Sequence, residues 1–473
     1  MSCKWVFRIK RKANGSIEKY KACLIARGFT QCFGINYFNT FSPVARLASF
    51  QIILAYTAHH DWDIDTFDFN GAYLNGELNA NEDIYMQEPP GYSTEGEFVK
   101  HLKKSLYGLK QARHKWYDTL CCVLIDLGFC VNDADPRVFS VHDSKHTTIL
   151  AVHVNNCLIT SSSPYLITDY KQKLNSHYSL TDLGPVHWLL GIKVTCNHDT
   201  RTISLSQTSD INTILGHFLL SDTKPVRTPI TPSVVLSKTD APSDNTEATQ
   251  MKNTPYCKAI GSLMYTAITM CPNITFTILA LSQFLNNPSK VHWEAVKCVF
   301  HYLASTKEYL LTYRNEHHDL LGYTDADSAS QEHRHAISSH TFLIDGAAIS
   351  WTSRKQEIIT LSTTEAEYIT ATHAVKECIW LCCLTKPLFD ITPTSTTLFC
   401  DNQAAIHLTT NNNYHTCTKH LDIQFHFIRQ TIKNKTMDIK YCPTEEMTAD
   451  ILTKALPKFK VVIHLQTLMI CCP

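Results

Sequence analysis

"ILAVHVNNCLITSS", residues 149–162, sets two apolar, β-branched runs on either side of Asn155 and Asn156. β-Branched residues favour extended backbone, and Asn tolerates the dihedrals of a tight turn, so the stretch reads as an antiparallel hairpin with the two asparagines at its turn. A hairpin asks no more of Asn than that. What else the turn carries depends on the rest of the chain.

Upstream, "WDIDTFDF" and "TILAVHV" alternate at strand period while "HKWYDTLCCVLIDLGF" is apolar at helical spacing, the pattern of an α+β domain. The segment 221–255, rich in Pro, Ser, Thr and Asp, reads as a linker. After it, "YCKAIGSLMYTAITMCPNITFTILALSQFL" and "HWEAVKCVFHYLAS" read as helices. From about residue 318 the order strand, strand, strand, helix, strand, helix predicts a mixed α/β layer.

Composition excludes less than it allows. The 473 residues are 44% hydrophobic, with 43 Lys plus Arg against 43 Asp plus Glu, so a nucleic-acid surface must be local. Nineteen scattered cysteines without a CxxC pair or a secretory signal argue against a disulfide framework and for a reducing compartment. The longest apolar candidate, "ECIWLCCLTKPLF", is broken by Lys386 and Pro387, well short of the ~20 residues a bilayer requires. The expectation is a soluble intracellular chain.

Four acidic residues stand at strand ends or on helices able to pack over them: Asp325 in "GYTDAD", Glu367 in "TEAEYITA", Asp401 in "LFCDNQAA" and Asp450 in "TADILTK". Gathered carboxylates repel unless a cation neutralises them, and a magnesium pair needs several hard oxygen ligands. Singly, each also serves as a cap or turn residue; their joint order points to a metal site.

The run "DADSA…ISWTSRKQEIITLSTTEAEYITA…FCDNQAAIHL…TKHLDIQFHFIRQ…TADILTKALP" resembles the ribonuclease H domain of copia-type LTR retrotransposon Pol polyproteins. "CKWVFRIKRKANGSIEKYKACLIARGFTQ", "GAYLNGELN", "IYMQEPPGY", "KKSLYGLKQA" and "DLGPVHWLLGI" resemble the reverse transcriptase of the same polyprotein. The resemblance implies a polymerase palm and fingers over 1–220, a linker and helical connection over 221–315, a ribonuclease H-like domain over 316–457 and a tail over 458–473. It also implies a chain lacking the family's gag, protease, integrase and first part of the fingers. RNA template, DNA primer and RNA·DNA hybrid are the implied partners, Mg2+ or Mn2+ the implied cofactor, and a cytoplasmic particle or the nucleus the implied location.

Carried over residue by residue, the polymerase carboxylates fall on Asp68, Asn155 and Asn156, because the family has Tyr-Val-Asp-Asp where this chain has His153, Val154, Asn155 and Asn156. Asn keeps the size and turn preference of Asp but loses its charge, so the hairpin should survive and metal binding fail. Tyr73 matches the aromatic that stacks under the incoming sugar, and Gln111 the nucleotide-contacting Gln. In the ribonuclease H site, Asp325, Glu367, Asp401 and Asp450 are the implied metal ligands, with Glu365 the alternative to Glu367. Asn402 and Gln403 are expected to touch the hybrid.

Other departures follow one pattern. Cys stands for Arg at 23, 271, 298 and 417, His for Arg at 114 and 301, and Asn for Asp at 39, 155, 156 and 273. Each is one transition in the codon, as cytosine deamination produces, which accounts for the cysteine count as mutational decay. The cluster His415, Cys417 and His420 lacks a fourth zinc ligand and contains one of these replaced positions, and Ser328 stands where the family has Trp. The sequence therefore supports a nucleotidyltransferase-family chain with an inactive polymerase and a retained hybrid nuclease. A decayed or co-opted remnant that only binds nucleic acid is the alternative, and a polymerase tolerant of Asn155 and Asn156 the third reading.

Overall fold

The computed structural model describes residues 1–11, 16–79, 82–92, 99–220, 224–242, 244–315, 320–327, 335–389, 396–410 and 422–472. Ser328, His415, Cys417 and His420 lie outside the described residues. Packing divides the chain into two units, Met1–Arg46 with Trp62–Pro185, and Leu47–Asp61 with Val186–Pro473.

In the first unit, β1 (Cys3–Arg11) and β2 (Ile17–Ala26) form a hairpin, followed by β3 (Asp63–Phe69), β4 (Tyr85–Gln87), β5 (Val99–His101), β6 (Cys130–Val131), β7 (Val138–His142), β8 (Thr147–His153), β9 (Asn156–Ser161) and β10 (Leu180–Pro185). Six of them make an antiparallel sheet ordered β10-β3-β9-β8-β7-β6. Strand alternation explains its layering: Phe67 and Phe69 of β3 point into a core with Trp116, Leu120 and Leu124 of the helix Ala112–Asp126, while Asp68 takes the opposite face. A smaller core of Cys3, Ala26, Ile84, Met86 and Leu109 holds the β1–β2 hairpin to the "LYGLK" loop. Gly108 is required there, since at φ +95° a Cβ would lie 2.1 Å from the Ala26 carbonyl oxygen.

The second unit holds two further sheets. β11 (Trp188–Leu189), β12 (Ile192–Asn197), β13 (Thr202–Ser206), β14 (Leu310–Tyr313) and, from the C-terminal end, Ile470–Cys471 pair in that order. Residues before the 221–255 segment are thus bound to residues after it, Leu205 opposite Leu311. The end of the chain, without assignable meaning in sequence, folds as the helix Lys458–Thr467 and the strand that closes this sheet.

The other sheet comprises β15 (Leu321–Asp327), β16 (Ile337–Ile344), β17 (Ala347–Lys355), β18 (Thr396–Cys400) and β19 (Met437–Tyr441), ordered β17-β16-β15-β18-β19. The first three strands pair antiparallel, and β18 and β19 join parallel. This is the mixed α/β order of a ribonuclease H-like fold. The helix Thr363–Phe389 covers β15 and β16 with buried Ala366, Ala374, Val375 and Leu381. Helices Tyr256–Thr269, Pro272–Ser282 and Lys290–Thr306, where the sequence predicts them, pack around Leu263, Ile274, Val296 and Phe300.

Candidate active site

Two clusters of carboxylate positions are built on these sheets, one in each unit. In the first, the β8–β9 register pairs His153 with Asn156, so the two turn residues are Val154 and Asn155, and Asn156 is the exposed first residue of β9. The expectation of a turn centred on the asparagine pair is corrected by one residue. The reason is the sheet: Asp68 on β3 pairs with Asn156, which fixes Asn156 in the ladder. Val154 then adopts φ +64°, a left-handed conformation costly for a β-branched residue, and its carbonyl accepts a 2.8 Å hydrogen bond from the buried Trp116 indole.

Asn155 Nδ2 lies 2.8 Å from Asp68 Oδ1 and 2.6 Å from Asp68 Oδ2. The amide thus covers both oxygens with its own N–H groups. A divalent cation needs oxygen acceptors on that edge, and an amide presenting donors offers none, so these residues do not fit the metal pair of an active polymerase. Burial draws the neighbouring His153 imidazole below its ordinary pKa.

Tyr73 is half-buried in the short helix Ala72–Asn75, its ring edge-on to Tyr107 at 5.3 Å. Gln111 is fully buried: its side-chain oxygen accepts from Gln31 at 3.0 Å and its amide donates to the Asn36 carbonyl at 2.9 Å. In this structure Gln111 braces the loop around Gln31 and Asn36.

In the second unit, Asp325 on β15, Glu367 on the helix Thr363–Phe389, Asp401 just after β18 and Asp450 in the 3₁₀ helix Thr448–Leu452 come together at the sheet's end. Glu367, Asp325 and Asp450 are almost fully buried, whereas Asp401 is half-exposed and accepts from Thr444 at 2.9 Å. Asp325 accepts from the Thr453 hydroxyl. Glu367 Oε1 accepts from the Ala326 amide at 3.2 Å. Glu365 instead caps its helix, accepting from the Leu361 amide at 2.8 Å while its own amide donates to Ser362 Oγ at 3.2 Å. Two residues apart on a helix point to different sides, and Glu367 is the one turned toward Asp325.

Burial and mutual repulsion dominate the electrostatics. Desolvation first, then the nearby carboxylates, push Glu367 up to about 9. Desolvation also lifts Asp325 to about 7, with Lys454 opposing, and raises Asp450. Lys454 was not legible as a site residue, yet its ammonium lies 2.8 Å from Asp450 Oδ1 and 3.7 Å from Asp325 Oδ2. Burial works against its charge, but the two aspartates hold it above the usual lysine range. The signal was the four-residue spacing Asp450 to Lys454 in "ADILTK".

Among the described residues, Glu367 Oε2 and Asp450 Oδ2 are buried with no hydrogen-bond donor. Unmade bonds of this kind cost about 1–3 kcal/mol each, more for charged groups, and a hard cation removes that cost. The residues therefore fit a divalent ion. Asn402 Oδ1 accepts from the Ala405 amide at 3.0 Å, capping the helix Gln403–Thr410, and Gln403 is exposed.

Comparison with known proteins agrees with both halves. Residues 1–232 match the family model described as reverse transcriptase (RNA-dependent DNA polymerase). The chain is 37% identical over 464 residues to the Retrovirus-related Pol polyprotein from transposon TNT 1-94 of Nicotiana tabacum, covering 97% of this chain and 35% of that one. It is 33% identical over 463 residues to the Pol polyprotein from transposon RE1 of Arabidopsis thaliana, covering 97% and 31%. The chain thus spans about a third of the length of these polyproteins. It is also 32% identical over 323 residues to the putative transposon Ty5-1 protein of Saccharomyces cerevisiae, covering 67% of this chain and 99% of that protein. No helix among the described residues is long and apolar enough to cross a membrane. With the palm sheet, the ribonuclease H-like sheet and these relatives in agreement, the chain belongs to the copia-type retrotransposon Pol polyprotein family, as its reverse transcriptase and ribonuclease H portion.

Proposed function

We propose that this chain cleaves the RNA strand of an RNA·DNA hybrid at Asp325, Glu367, Asp401 and Asp450 with magnesium or manganese, and that its palm no longer extends a DNA primer on an RNA template. One observation carries the reading: among the described residues Glu367 Oε2 and Asp450 Oδ2 are buried without a donor, whereas both oxygens of Asp68 are taken by Asn155. Divalent ions held by the four carboxylates would supply activation of water and stabilisation of the leaving oxygen. The protein's part is positioning. Thr453 and the Ala326 amide orient Asp325 and Glu367, the half-exposed Asp401 opens the site to a phosphate, and Lys454 offsets the excess negative charge. Hybrid selectivity would come from recognition of 2′-hydroxyls on one strand and deoxyribose on the other, for which the exposed Gln403 is available.

The test measures hybrid cleavage and primer extension side by side on the purified full chain, with magnesium and then manganese. Cleavage well above that of Asp325→Asn, with no extension, supports the proposal. A folded parent that cuts no faster than Asp325→Asn replaces it with the non-enzymatic alternative.

A further inference from the structure

Cys400 places a soft ligand within the carboxylate cluster. Cys400, the last residue of β18, is 1% exposed, and its Sγ, a Glu367 carboxylate oxygen and an Asp401 carboxylate oxygen all lie within 4.8 Å of one another. Glu367 is itself 5% exposed, and its Oε2 accepts no hydrogen bond among the described residues. Magnesium and manganese take oxygen ligands and leave a thiol aside, whereas zinc-class ions bind thiolate and carboxylate together. Tetrahedral zinc, with bonds of about 2.0–2.3 Å, wants its ligands about 3.5 Å apart, closer than the 4.8 Å within which these three lie, so binding draws them together.

We propose that Glu367, Cys400 and Asp401 form a site for a thiophilic divalent cation of the zinc class, whose occupancy excludes the hard ions used for hybrid cleavage. Binding replaces the thiol proton by the metal, the proton leaving to solvent, and water completes the coordination. The resulting state withdraws Glu367 and Asp401 from the hard-ion site. The inhibitory consequence rests on the nuclease reading above, but the binding does not.

The experiment uses cadmium as a spectroscopic zinc substitute. The full chain is titrated with Cd2+, reading the ultraviolet sulfur-to-cadmium charge-transfer absorbance against Cys400→Ser and Glu367→Gln proteins, so that the other cysteines cancel in the difference. The expected result is one equivalent of charge-transfer signal present in the parent and lost in Cys400→Ser, with at least a tenfold weaker site in Glu367→Gln. Hybrid cleavage in magnesium is then measured with added Zn2+, each protein normalised to its own uninhibited rate. The parent should need at least tenfold less Zn2+ for half-inhibition than Cys400→Ser. Identical titrations for parent and Cys400→Ser overturn the site, whatever the cleavage assay shows. A Cys400-dependent signal in a chain that does not cleave hybrid keeps the site and removes only the nuclease reading.

Discussion

The palm and the ribonuclease H-like sheet each place carboxylate chemistry at strand ends and satisfy it in opposite ways. At the palm a neutral amide stands beside the carboxylate: Asn155 donates to both oxygens of Asp68, and Asp68 is satisfied without any ion. At the other site the carboxyl groups are buried together and their pKa values are raised, with Lys454 reaching only Asp325 and Asp450 and, among the described residues, two carboxylate oxygens left without donors. A site that satisfies itself has little to gain from a metal. One that remains frustrated gains directly from binding one, because the ion removes repulsion the fold has already built in.

The largest effect that would break this contrast is on cleavage. Asp325→Asn keeps the shape of the side chain and removes one buried charge, and hybrid cleavage should fall on the order of a thousandfold, or ~4 kcal/mol at ~1.4 kcal/mol per tenfold. Equal rates for the two folded proteins would show that the frustrated site is not a working one.

Next comes the counter-ion. Lys454→Met should destabilise the metal-free protein by about 2–3 kcal/mol, less than a fully buried pair because the lysine side chain is 33% exposed. Magnesium should restore much of the loss, as measured by thermal melting with and without chelator. A variant insensitive to both would assign Lys454 no part in balancing the site.

At the palm the sign should reverse. Asn155→Asp replaces a hydrogen bond to a carboxylate with repulsion, so about 1.5–3 kcal/mol of stability should be lost in chelator. Magnesium should recover it in the variant and do nothing at this position in the parent. If the parent's palm binds magnesium as tightly as the variant's, the self-satisfied reading of Asn155 and Asp68 is wrong.

The gentlest test is pH. Asp325 rises from 3.8 to about 7 and Glu367 from 4.5 to about 9, so the folded state holds these protons more tightly than the unfolded chain does. Their contribution is fully present below the ordinary carboxylate values and is lost as pH rises toward the raised ones. In chelator, stability should therefore decline from about pH 4 to about pH 9, by no more than ~1.4 kcal/mol per pH unit for each proton. Denaturant melts of Asp325→Asn should show a shallower decline, and an unchanged slope would detach Asp325 from it.

Much of this was readable in one dimension because it depends on residue type and short spacing. The β8–β9 hairpin follows from its β-branched runs, and a helix after the three strands of the second sheet was expected from the element order. The four carboxylates of the second site were recognisable from their motifs. Misreadings came where contacts from distant segments decide. Asn156 looked like a turn residue until pairing with Asp68 drew it into the sheet. The burial of Gln111 was not legible, because it depends on Gln31, eighty positions earlier. Ile470 and Cys471 had no meaning until Leu310 and Leu311 lay beside them.

By itself the sequence determined the family, many of the local strands and helices, and the neutrality of Asn155 and Asn156, because covalent identity sets charge and period sets local structure. Only the tertiary structure decided that Asn155 spends its amide on Asp68, that Glu367 rather than Glu365 faces Asp325, and that Lys454 and Cys400 stand among the carboxylates. The reason is that a hydrogen bond or a Coulomb interaction depends on separation in space, and these partners are brought within a few ångströms only by the packing of strands and helices far apart in the chain.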